Sequence, residues 1–130
     1  MSGPPARVLV VDDDPDVLAF MELLLCAEGF AAACARSGDE ALGRLGEGPV
    51  DLVLLDIAMP GCDGLDLCRR IKSGSGMRDL PVIVLSAYPG DLAASAAQAA
   101  GADHFLRKPF DNDELVALVR GELARPRRSG

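Results

Sequence analysis

Short apolar runs alternate with longer amphipathic stretches along this chain, and no other feature restricts its fold as much. The runs at 7–11, 51–56 and 81–86 have the length of buried strands, and the stretches between them repeat apolar residues at helical spacing. Such alternation is typical of βαβ units, in which a crossover helix joins two parallel strands. The sequence therefore predicts an α/β fold with a five-stranded, doubly wound sheet.

Capping and breaking residues set the expected limits of these elements. Asp14 can cap the first helix, Pro15 suits its first turn, and Gly29 ends it. Ser37 can cap the second helix, and Asp111 the last. The predicted strands are 7–11, 30–35, 51–56, 81–86 and 103–107. The later predicted helices are 64–72, roughly 91–100, and 111–124.

The first helix carries more apolar residues than one buried face requires. Val17, Phe20, Met21 and Leu24 recur at helical spacing, and we expect them to pack in the core. Three further leucines widen the apolar stripe, namely Leu18, Leu23 and Leu25.

Composition excludes several classes of function. A chain of 130 residues fits one domain, with a core over about 6–124 and a short basic tail over 125–130. The formal net charge is −7, so this domain lacks the basic face that nucleic acid requires, whereas a metal ion or a basic protein partner remains compatible. No apolar run approaches the roughly 20 residues that span a bilayer, and the first residues lack a signal-peptide core. We expect a cytoplasmic protein without membrane contact.

The four cysteines, Cys26, Cys34, Cys62 and Cys68, form no CxxC pair. We expect reduced thiols rather than a disulfide framework. Cys62, which follows Pro60 and Gly61 in a predicted loop, is the one expected to be exposed.

Polar residues follow four of the apolar runs. Asp12 and Asp13 come after VLVV, Asp56 after DLVLL, Ser86 after PVIVL, and Lys108 after HFLR. Parallel strands end at one edge of a sheet, where open α/β sheets hold ligands. The sequence therefore predicts that three carboxylates, a hydroxyl and an ammonium group converge.

Four carboxylates lie within five residues at the start of the first helix. Like charges this close raise one another's pKa, and a bound cation would relieve the repulsion. Oxygen ligands favour Mg²⁺ or Mn²⁺ over zinc. For Asp14 and Asp16 we prefer a simpler role as complements of the helix dipole. We assign the metal hypothesis to Asp12 and Asp13.

Asp56 precedes a turn sequence, and a carboxylate there can attack phosphorus if cations and donors neutralise the phosphoryl oxygens. Lys108 would supply positive charge and Ser86 a hydroxyl donor. Taken singly, Ser86 could be a helix cap, Lys108 a surface charge and Asp56 a loop residue. Their joint position at consecutive strand ends favours a phosphoryl site.

Four strings, VVDDDPDV, LLDIAMPGCDG, VLSA and GADHFLRKPF, stand in an order and spacing that resembles the receiver domain of two-component response regulators. The likeness extends from about residue 6 to 124. It implies a flavodoxin-like (βα)5 sandwich with a parallel sheet of order 2-1-3-4-5. It also implies a signalling switch that catalyses only its own phosphoryl transfer and dephosphorylation.

The resemblance assigns roles to individual residues. Asp56 matches the phosphoryl acceptor, whose donor is a phosphohistidine on a sensor histidine kinase or phosphotransfer protein. Asp12, Asp13 and Asp56, with the backbone carbonyl of Ala58, match the Mg²⁺ ligands; Asp13 is the expected direct ligand, and Asp12 acts largely through water. Ser86 and Lys108 match the groups that contact the phosphoryl group. The Lys108–Pro109 peptide is expected to be cis.

Phe105 matches an aromatic switch residue that turns inward when Ser86 moves toward the phosphoryl group. The change would alter a surface formed by the fourth helix, the fifth strand and the fifth helix, through which a downstream target is read. Serine stands at 86 where threonine is more usual, and phenylalanine at 105 where tyrosine is frequent. Ala58 and Tyr88 flank the site, and we expect them to have opposite effects on access of water.

Partner surfaces are only partly indicated. The fourth predicted helix carries almost no charge after Asp91, so a dimer held by salt bridges there is not expected, and we predict a monomer or weak dimer. The first helix could dock a kinase helix through Pro15 and Leu18, although core packing is the simpler explanation of its apolar residues. His104 is expected to be an isolated strand residue without a catalytic role.

Two alternatives remain open. Asp12 and Asp14 could be the nucleophile and the acid/base of a haloacid-dehalogenase-type phosphatase. Such an enzyme would also need a serine or threonine, a lysine and a further acidic metal motif downstream, and this sequence is short for one and shows no cap domain. A scaffolding receiver that never takes phosphate usually loses an acidic or lysine position, and all are present here. A flavin site is disfavoured because no phosphate-binding loop follows the first strand. Whether the chain acts alone or within a longer regulator or hybrid kinase is left open, as is its cognate kinase.

Overall fold

The computed structural model describes residues 4–58, 63–74, 77 and 79–125. The loop position of Cys62 and the basic tail beyond residue 125 lie outside the described residues. So do residues 75, 76 and 78 of the predicted exit loop over 73–79.

Five strands and five helices alternate along the described chain, as the sequence predicts. In chain order they are β1 (Arg7–Val11), α1 (Pro15–Ala27), β2 (Ala31–Ala35), α2 (Gly38–Glu47), β3 (Leu52–Asp56), α3 (Asp63–Ser73), β4 (Val82–Ser86), α4 (Leu92–Ala99), β5 (His104–Arg107) and α5 (Asn112–Ala124). Each observed limit lies within about one residue of the predicted one where a limit was predicted.

All neighbouring strands of the sheet are parallel, and their order is β2-β1-β3-β4-β5. The chain therefore moves outward from β1 in one direction to β2 and in the other direction to β3, β4 and β5. The predicted flavodoxin-like topology is confirmed. Its order reverses between β1 and β3, and this is the point where open α/β sheets bind ligands.

Strand side chains alternate between two buried layers, because successive residues of a strand point to opposite faces. Val8 and Val10 of β1 pack with residues of α1 and α5. Leu9 and Val11 pack on the other face with residues of α2, α3 and α4. Both faces of the central strands are thus covered, and this explains why these strands read as unbroken apolar runs.

Two of the three predicted helix caps are confirmed. Asp14 Oδ1 accepts a hydrogen bond of 2.9 Å from the Asp16 backbone N–H, and Ser37 Oγ accepts one of 3.1 Å from the Glu40 N–H. The third prediction is wrong in its chemistry. Asp111 stands at the cap position of α5, but its side chain makes no capping hydrogen bond. Its backbone carbonyl accepts a hydrogen bond of 3.2 Å from the Leu115 N–H instead.

The buried stripe of α1 differs from the predicted one. Leu18, Met21 and Leu25 are buried, whereas Phe20 is 51% exposed and Leu23 is 73% exposed. Core packing was therefore the wrong expectation for Phe20, and the burial of Leu18 removes it from any docking surface. Because apolar residues nearly surround this helix, its rotation is fixed by the strands beneath it and not by its own pattern.

The described cysteines, Cys26, Cys34 and Cys68, are free thiols, as predicted. Burial raises the pKa of Cys68 to about 11, which keeps this thiol protonated. Within the described part of the chain, no helix has the length and apolar character to cross a membrane.

Two leucines test which face of α1 is buried. Leu25→Ala should lower the free energy of unfolding by about 2–5 kcal/mol, because it opens a cavity at a fully buried position. Leu23→Ala should change it by less than about 0.5 kcal/mol, because its side chain is exposed. Urea unfolding measures both values, and equal losses would contradict the observed rotation of the helix.

Candidate functional site

The carboxyl ends of β1 and β3 meet beside the point where the strand order reverses. Asp12 and Asp13 directly follow β1, and Asp56 is the last residue of β3. The two strands are hydrogen-bonded neighbours, with Val11 opposite Leu55. All three carboxylates and Ala58 line one cavity of about 390 Å³, so the structure brings together the predicted metal-ligating residues.

Asp12 lies against two other carboxylates. Its Oδ1 accepts a hydrogen bond of 3.0 Å from the Asp14 backbone N–H. Burial, together with the nearby carboxylates of Asp56 and Asp13, raises the pKa of Asp12 to about 6 against the lowering effect of that hydrogen bond. Negative charge at this position is therefore costly without a compensating cation.

Lys108 provides positive charge at the site. Its ammonium group forms an ion pair with Asp56 Oδ2, and the two side chains are only 30% and 10% exposed. Asp56 Oδ2 is buried and has no hydrogen bond of good geometry among the described residues, so its stabilisation comes from this charge contact. The Lys108–Pro109 peptide that follows β5 is cis, as expected.

Ser86 ends β4 and is fully buried. Its Oγ accepts a hydrogen bond of 3.0 Å from the Tyr88 backbone N–H. The hydroxyl thus fixes a turn two residues further on, which is a common use of serine after a strand. It does not cap a helix, because α4 begins only at Leu92 with Asp91 at its cap position.

The predicted switch residue, Phe105, and the predicted flanking residues, Ala58 and Tyr88, lie in the segments that surround the site. Phe105 of β5 stands opposite Val84 and is half-buried against the core layer of α2, α3 and α4. Ala58 is exposed at the cavity, and Tyr88 is half-buried in the segment between β4 and α4.

A hard divalent cation fits the donors of this site. Among the described residues, no three acidic, histidine or cysteine side chains are already grouped as metal ligands. Mg²⁺ does not require such a group, because it usually takes one or two protein carboxylates and keeps several waters. The partly buried, mutually repelling carboxylates of Asp12 and Asp56 are the observation that favours a cation here.

A second and larger cavity adjoins Asp56 on the opposite side, and it was not predicted. Its volume is about 680 Å³, and Phe20, Lys108 and Phe110 are among its lining residues. Asp56 lines both cavities, so it separates an acidic hollow from a mainly apolar groove beside α1. The only sequence signal for the groove was the surplus of apolar residues on the first helix.

Two contacts near β5 also escaped the sequence analysis. Arg107 reaches the segment before α4, where it donates to the Tyr88 carbonyl at 3.0 Å. His104 is a strand residue, as predicted, but it is not isolated: its Nε2 lies 2.5 Å from Oε2 of Glu122, a buried residue of α5. Neither contact could be predicted from local sequence patterns, because the paired residues are 18 and 19 positions apart.

Comparison with known proteins agrees with this geometry. The sequence-family model described as the response regulator receiver domain matches residues 8–120 of this chain. The DNA-binding response regulator MtrA of Mycolicibacterium smegmatis is 40% identical over 119 residues, which are 92% of this chain and 51% of that protein. The response regulator MprA of a Mycobacterium species is also 40% identical, over 93% of this chain and 52% of its own length. The chain thus spans about half the length of these relatives.

Solved structures give the same result. A putative response regulator from Chloroflexus aurantiacus superposes with a TM-score of 0.86 at 38% identity, over 93% of this chain and 99% of that one. The receiver domain of a signal transduction histidine kinase from Syntrophus aciditrophicus superposes with a TM-score of 0.83 at 30% identity, over 92% and 90% of the two chains. The chain belongs to the family of response regulator receiver domains of two-component systems.

Proposed function

We propose that Asp56 accepts a phosphoryl group from a phosphohistidine of a sensor histidine kinase or phosphotransfer protein, in a reaction that depends on Mg²⁺. The observation that carries this proposal is the position of Asp56. Its carboxylate is buried at the end of β3, with Asp12 on one side and the ammonium group of Lys108 on the other. No other carboxylate among the described residues has both neighbours.

The chemistry requires little beyond these groups. A carboxylate oxygen of Asp56 attacks phosphorus, an O–P bond forms, and the P–N bond to the donor imidazole breaks with its electron pair passing to nitrogen. Lys108 is positioned to offset the charge of the phosphoryl oxygens, because it already contacts the attacking carboxylate. Ser86 would donate its hydroxyl hydrogen to one of these oxygens.

Asp12, Asp13, Asp56 and the carbonyl of Ala58 would hold the Mg²⁺ ion, which Mn²⁺ could replace. When bound, the ion supplies positive charge beside the phosphoryl oxygens. Asp12 and Asp13 would keep the ion in place. The ion would in turn reduce the repulsion between the carboxylate of Asp12 and those of Asp13 and Asp56.

The output of the reaction is a change of surface. Phosphorylation adds negative charge beside Ser86 and Lys108, and Ser86 moves toward it while Phe105 turns into the space that is vacated. Both residues belong to strands adjacent to α4 and α5. The α4–β5–α5 surface would thereby present a different face to a downstream target, with no nucleic acid contact by this domain.

The apolar groove beside α1 is the proposed site where the kinase docks. Phe20 lines the groove, and Leu23 lies one helical turn further along the same exposed side. A partner helix seated there would bring its phosphohistidine toward Asp56, which also lines the groove. Pro15 remains exposed and available to this surface. We also propose a cytoplasmic location for the protein.

A phosphatase with Asp12 as nucleophile is less well supported. In that mechanism Asp14 would be the acid/base. The Asp14 carboxylate, however, is exposed and accepts a hydrogen bond from the Asp16 backbone N–H. It is therefore committed to the first turn of α1. We propose a switch that turns over no substrate other than its own phosphoryl group.

The first test identifies the acceptor. Asp56→Asn should abolish labelling by acetyl phosphate with Mg²⁺, because an amide cannot form the acyl phosphate. Intact mass spectrometry after rapid quenching measures the added phosphoryl group. Asp39→Asn, an exposed change in the first turn of α2, should label like the wild type. Labelling of Asp56→Asn would place the acceptor elsewhere, and loss of labelling only in Asp12→Asn would favour the phosphatase.

The second test concerns the cation. Mg²⁺ at ten times its Kd should add about 1.4 kcal/mol to the free energy of unfolding and raise the thermal midpoint by about 3–6 °C. In Asp12→Asn the metal-free protein should be more stable than the wild type, because one repelling carboxylate is gone, and the shift with Mg²⁺ should shrink. Thermal unfolding with EDTA and with Mg²⁺ measures both effects. Equal shifts in wild type and Asp12→Asn would contradict the metal assignment.

The third test separates kinase docking from chemistry. The phosphoryl donor is the sensor histidine kinase that transfers most rapidly to the wild-type protein. Phe20→Ala and Leu23→Ala should each lower kcat/KM for transfer from this kinase by about tenfold, because an anchor that is desolvated in the complex is lost. Labelling by acetyl phosphate should not change. Leu92→Ala, at a leucine that is 59% exposed on α4, is the matched control and should leave both reactions unaffected. Unchanged transfer to the α1 variants would exclude this groove.

A further inference from the structure

The Tyr88 backbone is hydrogen-bonded on both sides of its Cα atom. Its N–H donates to Ser86 Oγ at 3.0 Å, and its carbonyl accepts from Arg107 Nη1 at 3.0 Å. The first bond comes from the residue that ends β4 and the second from the residue that ends β5. Between them they fix the segment that carries the proposed phosphoryl-binding hydroxyl.

Arg107 is placed to link this segment to the switch residue. Its backbone is the register partner of Ser86 in the neighbouring strand. Its guanidinium carbon lies 5.7 Å from the centre of the Phe105 ring, within range of a cation–π contact. One side chain therefore contacts the Tyr88 backbone and covers the ring of Phe105.

A third contact of Arg107 contributes little. The ion pair with Asp91 has an N–O distance of 3.5 Å, and the Asp91 side chain is 99% exposed. Exposed pairs of this kind are screened by water and salt. The hydrogen bond to the Tyr88 carbonyl and the contact with Phe105 are thus the interactions that matter.

We propose that Arg107 is a positioning residue that latches the Ser86–Tyr88 segment and Phe105 in the unphosphorylated arrangement. This inference rests on the proposed function, in which Ser86 advances toward Asp56 and Phe105 turns inward. Ser86 cannot advance while Arg107 holds the Tyr88 carbonyl and the Tyr88 N–H holds Ser86 Oγ. Phe105 cannot turn without leaving the guanidinium group. Phosphorylation must therefore break the Arg107 contacts, and Arg107 sets how readily the switch responds.

The latch makes a prediction opposite to that of a merely structural role. Arg107→Met keeps the aliphatic stem against Phe105 but removes the donor to the Tyr88 carbonyl. The unphosphorylated arrangement loses stabilisation, so the phosphorylated one becomes easier to reach. We expect the affinity for beryllofluoride, a stable phosphoryl analogue, to rise by about three- to tenfold, the equivalent of one hydrogen bond. A residue that only supports the fold would leave this affinity unchanged or lower it.

Tyr88 itself reports on the segment, because the chain has one tyrosine and no tryptophan. The experiment titrates beryllofluoride with Mg²⁺ into the full chain and follows tyrosine emission, with the thermal midpoint as a second measure of binding. Arg107→Gln is measured in parallel, so that the result does not depend on the folding of one variant.

Arg120 provides a matched control. It also donates to a backbone carbonyl, that of Glu28, pairs with a carboxylate, and lies 5.1 Å from the centre of a phenylalanine ring, that of Phe30. These contacts join α5 to the end of α1, away from Tyr88. Arg120→Met should leave the affinity for beryllofluoride unchanged.

Tighter binding by both Arg107 variants, with an unchanged Arg120→Met, would support the latch. Unchanged or weaker binding by the Arg107 variants, with a responsive wild type, would overturn the latch and leave the proposed function intact. A wild type that responds to beryllofluoride in neither measurement would overturn the proposed function and the latch with it.

Discussion

Adjacent parallel strands deliver their last side chains to the same place, and in this protein those side chains are mostly anionic. β1 and β3 are hydrogen-bonded neighbours, so Asp12 and Asp56 must lie close together once the sheet has formed. Burial weakens the screening of their repulsion and raises the pKa of Asp12. Lys108 offsets part of this charge from beyond β5. The sheet is held by its two apolar layers, and these are what keep the repelling groups together.

This concentration of charge is joined to the rest of the molecule in two directions. On one side of Asp56 lies the hollow with Asp12, Asp13 and Ala58, and on the other the groove beside α1. A cation and a phosphoryl donor would thus approach the same carboxylate from different sides. Toward β5, Ser86, Tyr88 and Arg107 form a continuous chain of hydrogen bonds. In the proposed function, phosphorylation of Asp56 would reach the α4–β5–α5 surface through this chain of contacts.

Much of this arrangement was predictable from sequence because it depends on local chemistry. Asp14 and Ser37 were identified as caps, since short polar side chains reach a backbone N–H two or three residues ahead. Strand order was obtained through the family resemblance and not from the strands themselves. The errors concern long-range contacts. Phe20 is exposed because the strands decide which side of α1 is covered, and His104 pairs with Glu122 because β5 and α5 pack side by side.

By itself, the sequence determined the alternation of strands and helices, the ends of most elements, and the set of polar residues that strand ends would carry. Those features follow from periodicity, capping and the direction of the chain, all of which act over a few residues. Tertiary structure decided the rotation of α1, the apolar groove beside Asp56, and the reach of Arg107 to Tyr88. These features depend on how separate elements pack against each other, and packing is governed by contacts between residues that the sequence does not place side by side.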